Sequence, residues 1–263
     1  MNHGQPRVSI VMPAYNAGQY IGATISSVLG QTETDWELIV IDDCSTDGTR
    51  DEVSALAESE SRIRLIALEK NFGGPAGPRN VGVRSARADL VAFLDSDDIW
   101  HPDKLKIQLA AVEDVSNAFV CSGMVDFADE STLRFEPIGC VKRDRITYWR
   151  QSVRAQIPTS SVLVSRALLL KTPFWEDPAY KAVEDYHCWL RILQLVDHCE
   201  KLKAPLLCYR KSEGQISGSK LMMMKKVLRV HREFPGRSLL TAYVYTLTHV
   251  LGGFYFRFLK KGM

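Results

Sequence analysis

The stretch of sequence that decides the fold is Leu90-Val91-Ala92-Phe93-Leu94-Asp95-Ser96-Asp97-Asp98. Its first half is short, apolar and uncharged, which predicts a buried parallel β-strand. Its second half, here called the Asp cluster (Asp95–Asp98), places three carboxylates at the exit of that strand. Carboxylates this close repel one another unless a cation lies among them, and a divalent metal ion with bound phosphates is the usual one. The structural alternative is a helix N-cap before Pro102, for which one Asp would suffice.

The sequence before this stretch alternates between strands and helices. Strands are predicted at Val8–Met12, Glu37–Ile41 and Ile63–Leu68, and helices are predicted over residues 20–29, 49–59 and 79–88, the last after a loop through Pro78. Such alternation predicts an α/β fold with a Rossmann-like, mostly parallel sheet and helices on both faces. Ligands bind such sheets beyond the carboxyl ends of the strands. Tyr15, Asp43 and the Asp cluster all fall at those ends.

The pattern changes after about residue 115. Further strands are predicted at Ala118–Cys121, Met124–Phe127, Ser160–Val164 and Leu206–Tyr209, and a helix is predicted from Glu184. No linker rich in Gly, Ser or Pro divides the chain, and no internal repeat is evident. We therefore expect one domain, which contains the crevice at the strand ends, over residues 1–220, followed by a helical tail over residues 221–263.

Composition sets broad limits on function. The 263 residues are 46% hydrophobic and 24% charged, which is ordinary for a soluble globular protein. Residues 201–263 carry 13 Lys and Arg against two Asp and Glu, whereas residues 1–200 carry 20 against 29. A basic tail on an acidic body indicates a phosphate-rich or membrane-surface partner. Six cysteines without a CxxC pair argue against a zinc site or a disulfide framework and favour a reducing compartment. The polar N-terminus lacks a signal-peptide core, which predicts a cytoplasmic protein.

The loop after the first strand narrows the ligand class. Residues Pro13–Gly18 lack the GxGxxG phosphate turn, and the chain has no Walker-type GKT, so a nicotinamide dehydrogenase is disfavoured. The Tyr15 ring can stack on a nucleobase, and the Asp43 carboxylate can accept a hydrogen bond from a base N–H. The structural alternatives are a Tyr packed at a strand end and an Asp that caps the next helix.

Four segments together resemble family 2 glycosyltransferases of the GT-A fold: Val8–Asn16, Glu37–Asp47, Arg79-Asn80 and the Asp cluster. The resemblance covers roughly residues 7–220 and implies that a sugar is transferred from a nucleotide diphosphate donor with inversion, as in a hexosyltransferase. It also implies donor-binding roles at these positions: Pro13, Tyr15 and Asp43 around the base; Arg79 near the base or phosphates; Asp95, Ser96 and Asp97 near the ribose and metal; Asp98 as the alternative metal ligand.

An inverting transfer also needs a base that takes the proton of the acceptor hydroxyl. The pair Glu184-Asp185 resembles the family's Glu-Asp motif, in which the second acid, here Asp185, is the base. The alternative is two acids in the first turn of a helix, stabilised by the helix dipole. Trp175, just upstream, suits a sugar-binding wall, so we place Trp175, Glu184 and His187 on the acceptor side; His187 also has a simple structural use.

The leaving nucleoside diphosphate needs cations. Mn²⁺ or Mg²⁺ on Asp97 and Asp98 would supply one part, since hard oxygen ligands without Cys or His select this metal class. Arg210 and Lys220 flank the segment Ser212–Ser219, which resembles the family's mobile C-terminal loop and would bring them over the diphosphate. The alternative is a solvated basic loop.

The tail is apolar and aromatic from Leu239 to Leu259 and ends in basic residues. It is barely long enough to span a bilayer, so we predict an interfacial helix or helix pair attracted to anionic lipid. The alternative is a helix packed on the core or on another subunit. A membrane-facing tail fits a lipid-linked saccharide acceptor in bacterial surface-polysaccharide synthesis, at the inner face of the cell membrane. By resemblance the donor is a UDP-sugar, and no nucleic-acid partner is expected.

Two other functions compete with this hypothesis. A non-catalytic nucleotide-sugar-binding or scaffold protein of a polysaccharide-assembly complex would need no base, so the presence of Glu184-Asp185 beside the Asp cluster argues against it. A nucleotidyltransferase would need a Gly-rich basic loop after the first strand, which Pro13–Gly18 does not provide.

Overall fold

The computed structural model of the chain describes residues 4–211 and 220–258. The described residues form nine strands: Val8–Ala14 (β1), Trp36–Asp42 (β2), Ile63–Ala67 (β3), Leu90–Phe93 (β4), Ile99–Trp100 (β5), Phe119–Phe127 (β6), Arg143–Ile146 (β7), Leu163–Ser165 (β8) and Cys199–Arg210 (β9). The helices in the same ranges are Ile21–Leu29 (α1), Thr49–Ser59 (α2), Ala76–Ser85 (α3), Lys104–Leu109 (α4), Tyr148–Val153 (α5), Arg166–Lys171 (α6), Glu184–Ile192 (α7), Lys220–Glu233 (α8) and Leu239–Phe258 (α9). Short 3₁₀ turns occur at Glu130–Thr132, Thr159–Ser161 and Pro178–Tyr180.

One sheet contains all of these strands. Its order is β3-β2-β1-β4-β8-β6-β9-β5. The remaining strand, β7, pairs antiparallel with the first residues of β9. The pairs among β3, β2, β1 and β4 are parallel. The antiparallel strand β8 joins β4 to β6, and β9 runs parallel to β6. Within the described ranges, most strands therefore point the same way, which confirms the predicted α/β class with a mostly parallel sheet.

The core lies on both faces of the sheet because side chains alternate between the faces along each strand. Ile10 and Met12 pack with α1, α2 and α4, whereas Val11 of the same strand packs with α3 and α7 on the opposite face. All seven residues of β2 are buried. Helix α3 lies so close to β1 that a Cβ added at Gly82 would come within 2.4 Å of a Val11 methyl carbon.

Several predicted boundaries differ from those of the structure. Helix α3 begins at Ala76, inside the predicted loop, because a proline in the first helical turn gives up no hydrogen bond. The two strands predicted at 118–121 and 124–127 are one strand, β6, with a register irregularity at Ser122–Gly123. The predicted strand at 160–164 begins as the 3₁₀ turn Thr159–Ser161, and β9 is twelve residues long rather than four.

The tail helices pack on the rest of the protein through one face. Val227 and Val230 of α8, with Phe234 directly after that helix, form a small core with Tyr180 and Tyr186. None of the helices in residues 4–211 and 220–258 combines the length and apolar character that crossing a bilayer requires.

Candidate active site

The loops that follow β1 and β2 are tied together at the carboxyl edge of the sheet. The backbone N–H of Asn16 donates to Ser45 Oγ at 2.9 Å, and that of Gly18 donates to Asp47 Oδ2 at 3.0 Å. Asn16 itself has a left-handed backbone with φ of 48°, which Asn tolerates better than most residues. These contacts fix the position of Tyr15 relative to Asp43.

Tyr15 and Asp43 present different surfaces at this edge. The Tyr15 residue is 55% exposed, so its ring is open to a ligand rather than packed at the strand end. Asp43 is buried, and its Oδ1 accepts a hydrogen bond from the Phe72 backbone N–H at 2.9 Å, in the loop after β3. Burial raises the pKa of Asp43. Pro13 lies in β1 beside Ile41.

The Asp cluster lies at the same edge, directly after β4, and holds more negative charge than its neighbours compensate. Asp98 is fully buried; its Oδ1 accepts from the Arg210 backbone N–H at 3.0 Å, whereas its Oδ2 has no hydrogen-bond partner. Burial and the neighbouring Asp95 and Asp97 raise the pKa of Asp98 well above its ordinary value. Burial and Asp95 raise the pKa of Asp97 to about 6.

The backbone of the Asp cluster is fixed from two sides. The Asp95 N–H donates to Ser160 Oγ at 3.0 Å, and the Ser96 carbonyl accepts from Thr24 Oγ1 at 3.0 Å. The Trp100 indole donates to the Ser160 carbonyl at 2.7 Å, and the buried Lys104 ammonium lies 3.7 Å from a Trp100 ring centroid. The turn Thr159–Ser161 is therefore part of the site's support.

A divalent cation fits this cluster only in combination with a ligand. Among the residues that the structure describes, no three His, Cys, Asp and Glu side chains are arranged to hold a metal by themselves. Mg²⁺ is commonly held by one or two carboxylates together with substrate phosphates. The orphaned Oδ2 of Asp98 and the carboxylate of Asp97 are hard oxygen donors of this kind.

Arg79 connects the Asp cluster to α7. Its Nη2 lies 2.7 Å from Asp95 Oδ1, and its Nη1 lies 3.1 Å from Glu184 Oε1. The Arg79 side chain is only 4% exposed, and its Nε is buried without a hydrogen-bond partner. The guanidinium thus lies between a carboxylate at the exit of β4 and a carboxylate in the first turn of α7.

Asp185 lies in the first turn of α7, beside Glu184. Its Oδ2 accepts a hydrogen bond from Thr159 Oγ1 at 2.7 Å, and its Oδ1 accepts from the Tyr186 N–H at 2.6 Å. Glu184 is buried, and its Oε2 has no partner. Burial and the Asp185 charge raise the pKa of Glu184. The turn that supports the Asp cluster therefore also orients Asp185.

An aromatic wall stands beside this pair. The Trp175 ring centroid lies 4.1 Å from that of His187 and 4.8 Å from that of Tyr180. His187 is buried behind Trp175, and burial lowers its pKa to about 3, so the ring is neutral. A shallow open cleft lies between residues 72–77 and Trp175, and Glu184 is in its lining.

Arg210 lies against the Asp cluster from the side of β9. Its Nε donates to the Asp97 carbonyl at 2.7 Å, and its guanidinium pairs with Glu130 and lies 4.5 Å from the Tyr20 ring centroid. The segment Ser212–Ser219 and the side chain of Lys220 lie outside the described residues, so the predicted basic loop is not described.

Sequence reasoning missed three residues of the site: Thr159, Ser160 and Glu130. The run Pro158-Thr159-Ser160-Ser161 before an apolar strand was a usable signal, since clustered hydroxyls at a strand entrance often bond to backbone. Nothing near Glu130 in the sequence indicates its ion pair with Arg210, because the two lie 80 positions apart.

A mostly parallel sheet with an acidic cluster at its carboxyl edge is the arrangement of the GT-A fold of glycosyltransferases. The family model described as "Glycosyl transferase family 2" matches residues 9–172. The chain belongs to this family.

Similar curated proteins span nearly the whole chain. A Bacillus subtilis protein named "Putative teichuronic acid biosynthesis glycosyltransferase TuaG" is 35% identical over 89% of this chain and 90% of its own length. The Escherichia coli protein WfgD, a UDP-Glc:alpha-D-GlcNAc-diphosphoundecaprenol beta-1,3-glucosyltransferase, is 36% identical over 94% of this chain and 93% of its own length.

Solved structures confirm the fold. A complex of residues 1–349 of Staphylococcus aureus TarS with UDP superposes with a TM-score of 0.69 and 22% identity, covering 97% of this chain and 73% of the solved fragment. The mannosyltransferase PcManGT of Pyrobaculum calidifontis, solved with GDP-Man and Mn²⁺, gives a TM-score of 0.67 at 18% identity, over 99% of this chain and 77% of its own. At these identities the likeness shows the fold alone.

Proposed function

We propose that this glycosyltransferase is metal-dependent and inverting, and that it transfers a sugar from a UDP-sugar to a hydroxyl of a lipid-linked saccharide in cell-surface polysaccharide synthesis. One observation carries the proposal: Arg79 joins Asp95 to Glu184 within one crevice. The Asp cluster, which we assign to the donor, and Asp185, the proposed base beside Glu184, therefore lie in the same crevice.

The donor binds at the carboxyl ends of β1, β2 and β4. The open Tyr15 ring stacks on the base, and the Asp43 carboxylate accepts from a base N–H. Pro13 lines the same wall, and Asp95 and Ser96 lie on the ribose side. The UDP-Glc in the name of WfgD supports uracil as the base.

Asp97 and Asp98 would hold Mn²⁺ or Mg²⁺ together with the diphosphate. The bound ion supplies positive charge that stabilises the leaving nucleoside diphosphate. The chain adds the cation Arg210 beside Asp97, and we propose that Lys220 adds another.

Asp185 is the base of the proposed reaction. It takes the proton of the acceptor hydroxyl while that oxygen bonds to the anomeric carbon, and the bond to the diphosphate oxygen breaks on the opposite face. Configuration at the anomeric carbon is therefore inverted. The hydrogen bond from Thr159 holds the carboxylate in one orientation for this step.

The acceptor occupies the cleft beside Trp175. A sugar ring packs on the partly exposed indole, and Glu184 lies in the lining of the same cleft. His187 supports Trp175 from behind and does not contact the sugar in this scheme. The diphosphoundecaprenol in the name of WfgD supports a lipid-linked acceptor.

The tail is proposed to rest on the inner face of the cell membrane. The outward side of α9 carries a stripe of apolar residues that are 49–75% exposed: Leu239, Leu240, Tyr243, Val244, Leu247 and Leu251. No Asp, Glu, Lys or Arg occurs between residues 239 and 256, and basic residues follow. This composition fits a helix lying in the lipid interface.

The direct test of the proposal is a transfer assay with UDP-sugars and lipid-linked acceptors in the presence of Mn²⁺. The wild-type protein should form a product of inverted anomeric configuration, and Asp185→Asn should abolish transfer while UDP binding persists. Asp114→Asn, at an exposed turn on the opposite edge of the sheet, is the control and should transfer normally. Donor binding without transfer or hydrolysis for any acceptor would favour the scaffold function instead.

A further inference from the structure

The segment between Tyr180 and Asp185 contains a strained residue. Ala182 has a left-handed backbone with φ of 73°. This conformation is unfavourable for an L-residue with a Cβ, and alanine has no polar side chain with which to offset it. A residue keeps such a strained backbone conformation only where contacts with the surrounding structure enforce it. The contacts on either side of Ala182 therefore show what holds it.

On the N-terminal side, α8 holds the turn Pro178–Tyr180. The Tyr180 hydroxyl donates to Glu233 Oε2 at 2.6 Å, and the Lys226 ammonium donates to the Lys181 carbonyl. The Val183 N–H donates back to the Tyr180 carbonyl at 2.8 Å, which closes the chain around Ala182.

On the C-terminal side, α8 holds the first turns of α7. Val183 and Tyr186 pack with Val230 and Phe234 in a small buried core. The Tyr186 hydroxyl lies 3.2 Å from His231 Nε2, and His231 is fully buried. Tyr186 directly follows Asp185. Helix α8 therefore contacts the chain on both sides of Ala182, at Tyr180 and Lys181 before it and at Tyr186 after it.

We propose that α8 is a positioning element for catalysis: its contacts with Tyr180 and Tyr186 keep Ala182 left-handed, and this sets Glu184 and Asp185 against the acceptor. The inference rests on the proposed function, because it takes Asp185 as the base. It also makes the tail part of the acceptor half of the site, so Glu233, Lys226 and His231 are positioning residues.

The decisive variant is Tyr180→Phe, which removes one hydroxyl and keeps the ring against Trp175 and His187. Glu233 is about half exposed, so its carboxylate stays hydrated and no buried charge is left unpaired. With the Tyr180–Glu233 hydrogen bond lost, fewer contacts with α8 oppose the relaxation of Ala182 toward negative φ, and the base is displaced from the acceptor in part of the molecules. We expect kcat/KM for the acceptor to fall about fivefold, the worth of one hydrogen bond, while Kd for UDP is unchanged.

Ala182→Gly distinguishes positioning from simple packing. Glycine adopts positive φ without the Cβ penalty, so it lowers the cost of the active conformation once the anchor is gone. In the double variant Tyr180→Phe/Ala182→Gly, we therefore expect at least half of the lost kcat/KM, on a logarithmic scale, to return. Arg229→Gln is the matched control, since Arg229 approaches the other oxygen of Glu233 and should leave transfer unchanged.

Four proteins measured together decide the matter: the wild type, both single variants and the double variant. Recovery in the double variant with unchanged UDP binding supports positioning by α8. Three results would overturn it: an undiminished kcat/KM in Tyr180→Phe, a loss that is the same whether residue 182 is alanine or glycine, or a matching loss of UDP binding. Absence of transfer by the wild type would instead overturn the proposed function.

Discussion

Replacing Arg79 with Met tests the bridge across the crevice. The Arg79 and Glu184 side chains are 4% and 5% exposed, so the substitution leaves a buried carboxylate without its cation. Removing one partner of a buried ion pair costs about 3–5 kcal/mol. Asp95, at 32% exposure, is partly hydrated and adds little to this cost. Because a whole domain is stable by about 5–15 kcal/mol, the loss should be large but measurable.

The double variant Arg79→Met/Glu184→Gln isolates the cause. It removes the stranded charge, so about 2 kcal/mol or more of the lost stability should return, while transfer should stay absent because both groups belong to the proposed site. Urea unfolding followed by fluorescence gives the free energies. Arg7→Met is the control: the Arg7 side chain that pairs with Glu33 is 55% exposed, so its loss should cost less than about 1 kcal/mol.

Two results would refute this reasoning. One is a cost for Arg79→Met no greater than that of the Arg7→Met control. The other is a double variant as unstable as the single variant, which would mean that the stranded Glu184 charge is not what destabilises the protein.

Three further predictions concern stability. Burial lowers the pKa of His187 and of His231 to about 3 in the folded protein, against an ordinary 6.5, so below pH 6.5 the unfolded chain binds protons that the folded protein does not. The free energy of unfolding should therefore be about 2 kcal/mol lower per histidine at pH 5 than above pH 6.5. Urea midpoints that do not change between pH 7.5 and pH 5 would contradict this. Glu37→Gln should cost about 3 kcal/mol in urea unfolding, because this fully buried carboxylate bonds two arginines and a serine hydroxyl; a wild-type midpoint would rule out that role. Gly82→Ala should lower the free energy of unfolding by about 1–3 kcal/mol, because the added Cβ overpacks the contact between α3 and Val11 of β1. Gly48→Ala is the control and should cost less, because its Cβ position has open space around it. Equal melting temperatures for the two variants would count against the tight contact of α3 with β1.

The first half of the fold was predictable because its signals are local. Each parallel strand is a short apolar run followed at once by polar residues, so the strand ends and the edge that they share can be found from sequence. The position of β8 between β4 and β6 could not be found this way, since it depends on pairing between residues about 70 positions apart. The length of β9 was missed because its first half contains the charged residues Glu200, Lys201 and Lys203, of which Glu200 and Lys201 pair with the mostly exposed strand β7.

The same division holds for the candidate site. Tyr15, Asp43, the Asp cluster and Asp185 follow or begin regular elements, so the sequence indicates them directly. Arg79 was predicted near the base or phosphates, but its contact with Glu184 joins residues 105 positions apart and requires the folded chain. The hydrogen bond from the Tyr180 hydroxyl to Glu233 of α8 is likewise a tertiary contact, and no local sequence pattern in the tail indicates it.

The most direct test of the account is a calorimetric titration of UDP into the wild-type protein and into Asp98→Asn, with and without Mn²⁺. We expect Mn²⁺ to tighten UDP binding by at least tenfold in the wild type and by less than twofold in Asp98→Asn. Asp185→Asn should respond to Mn²⁺ as the wild type does. UDP binding that is independent of Mn²⁺ in the wild type, or fully Mn²⁺-dependent in Asp98→Asn, would contradict the claim that the Asp cluster binds a metal-bound diphosphate.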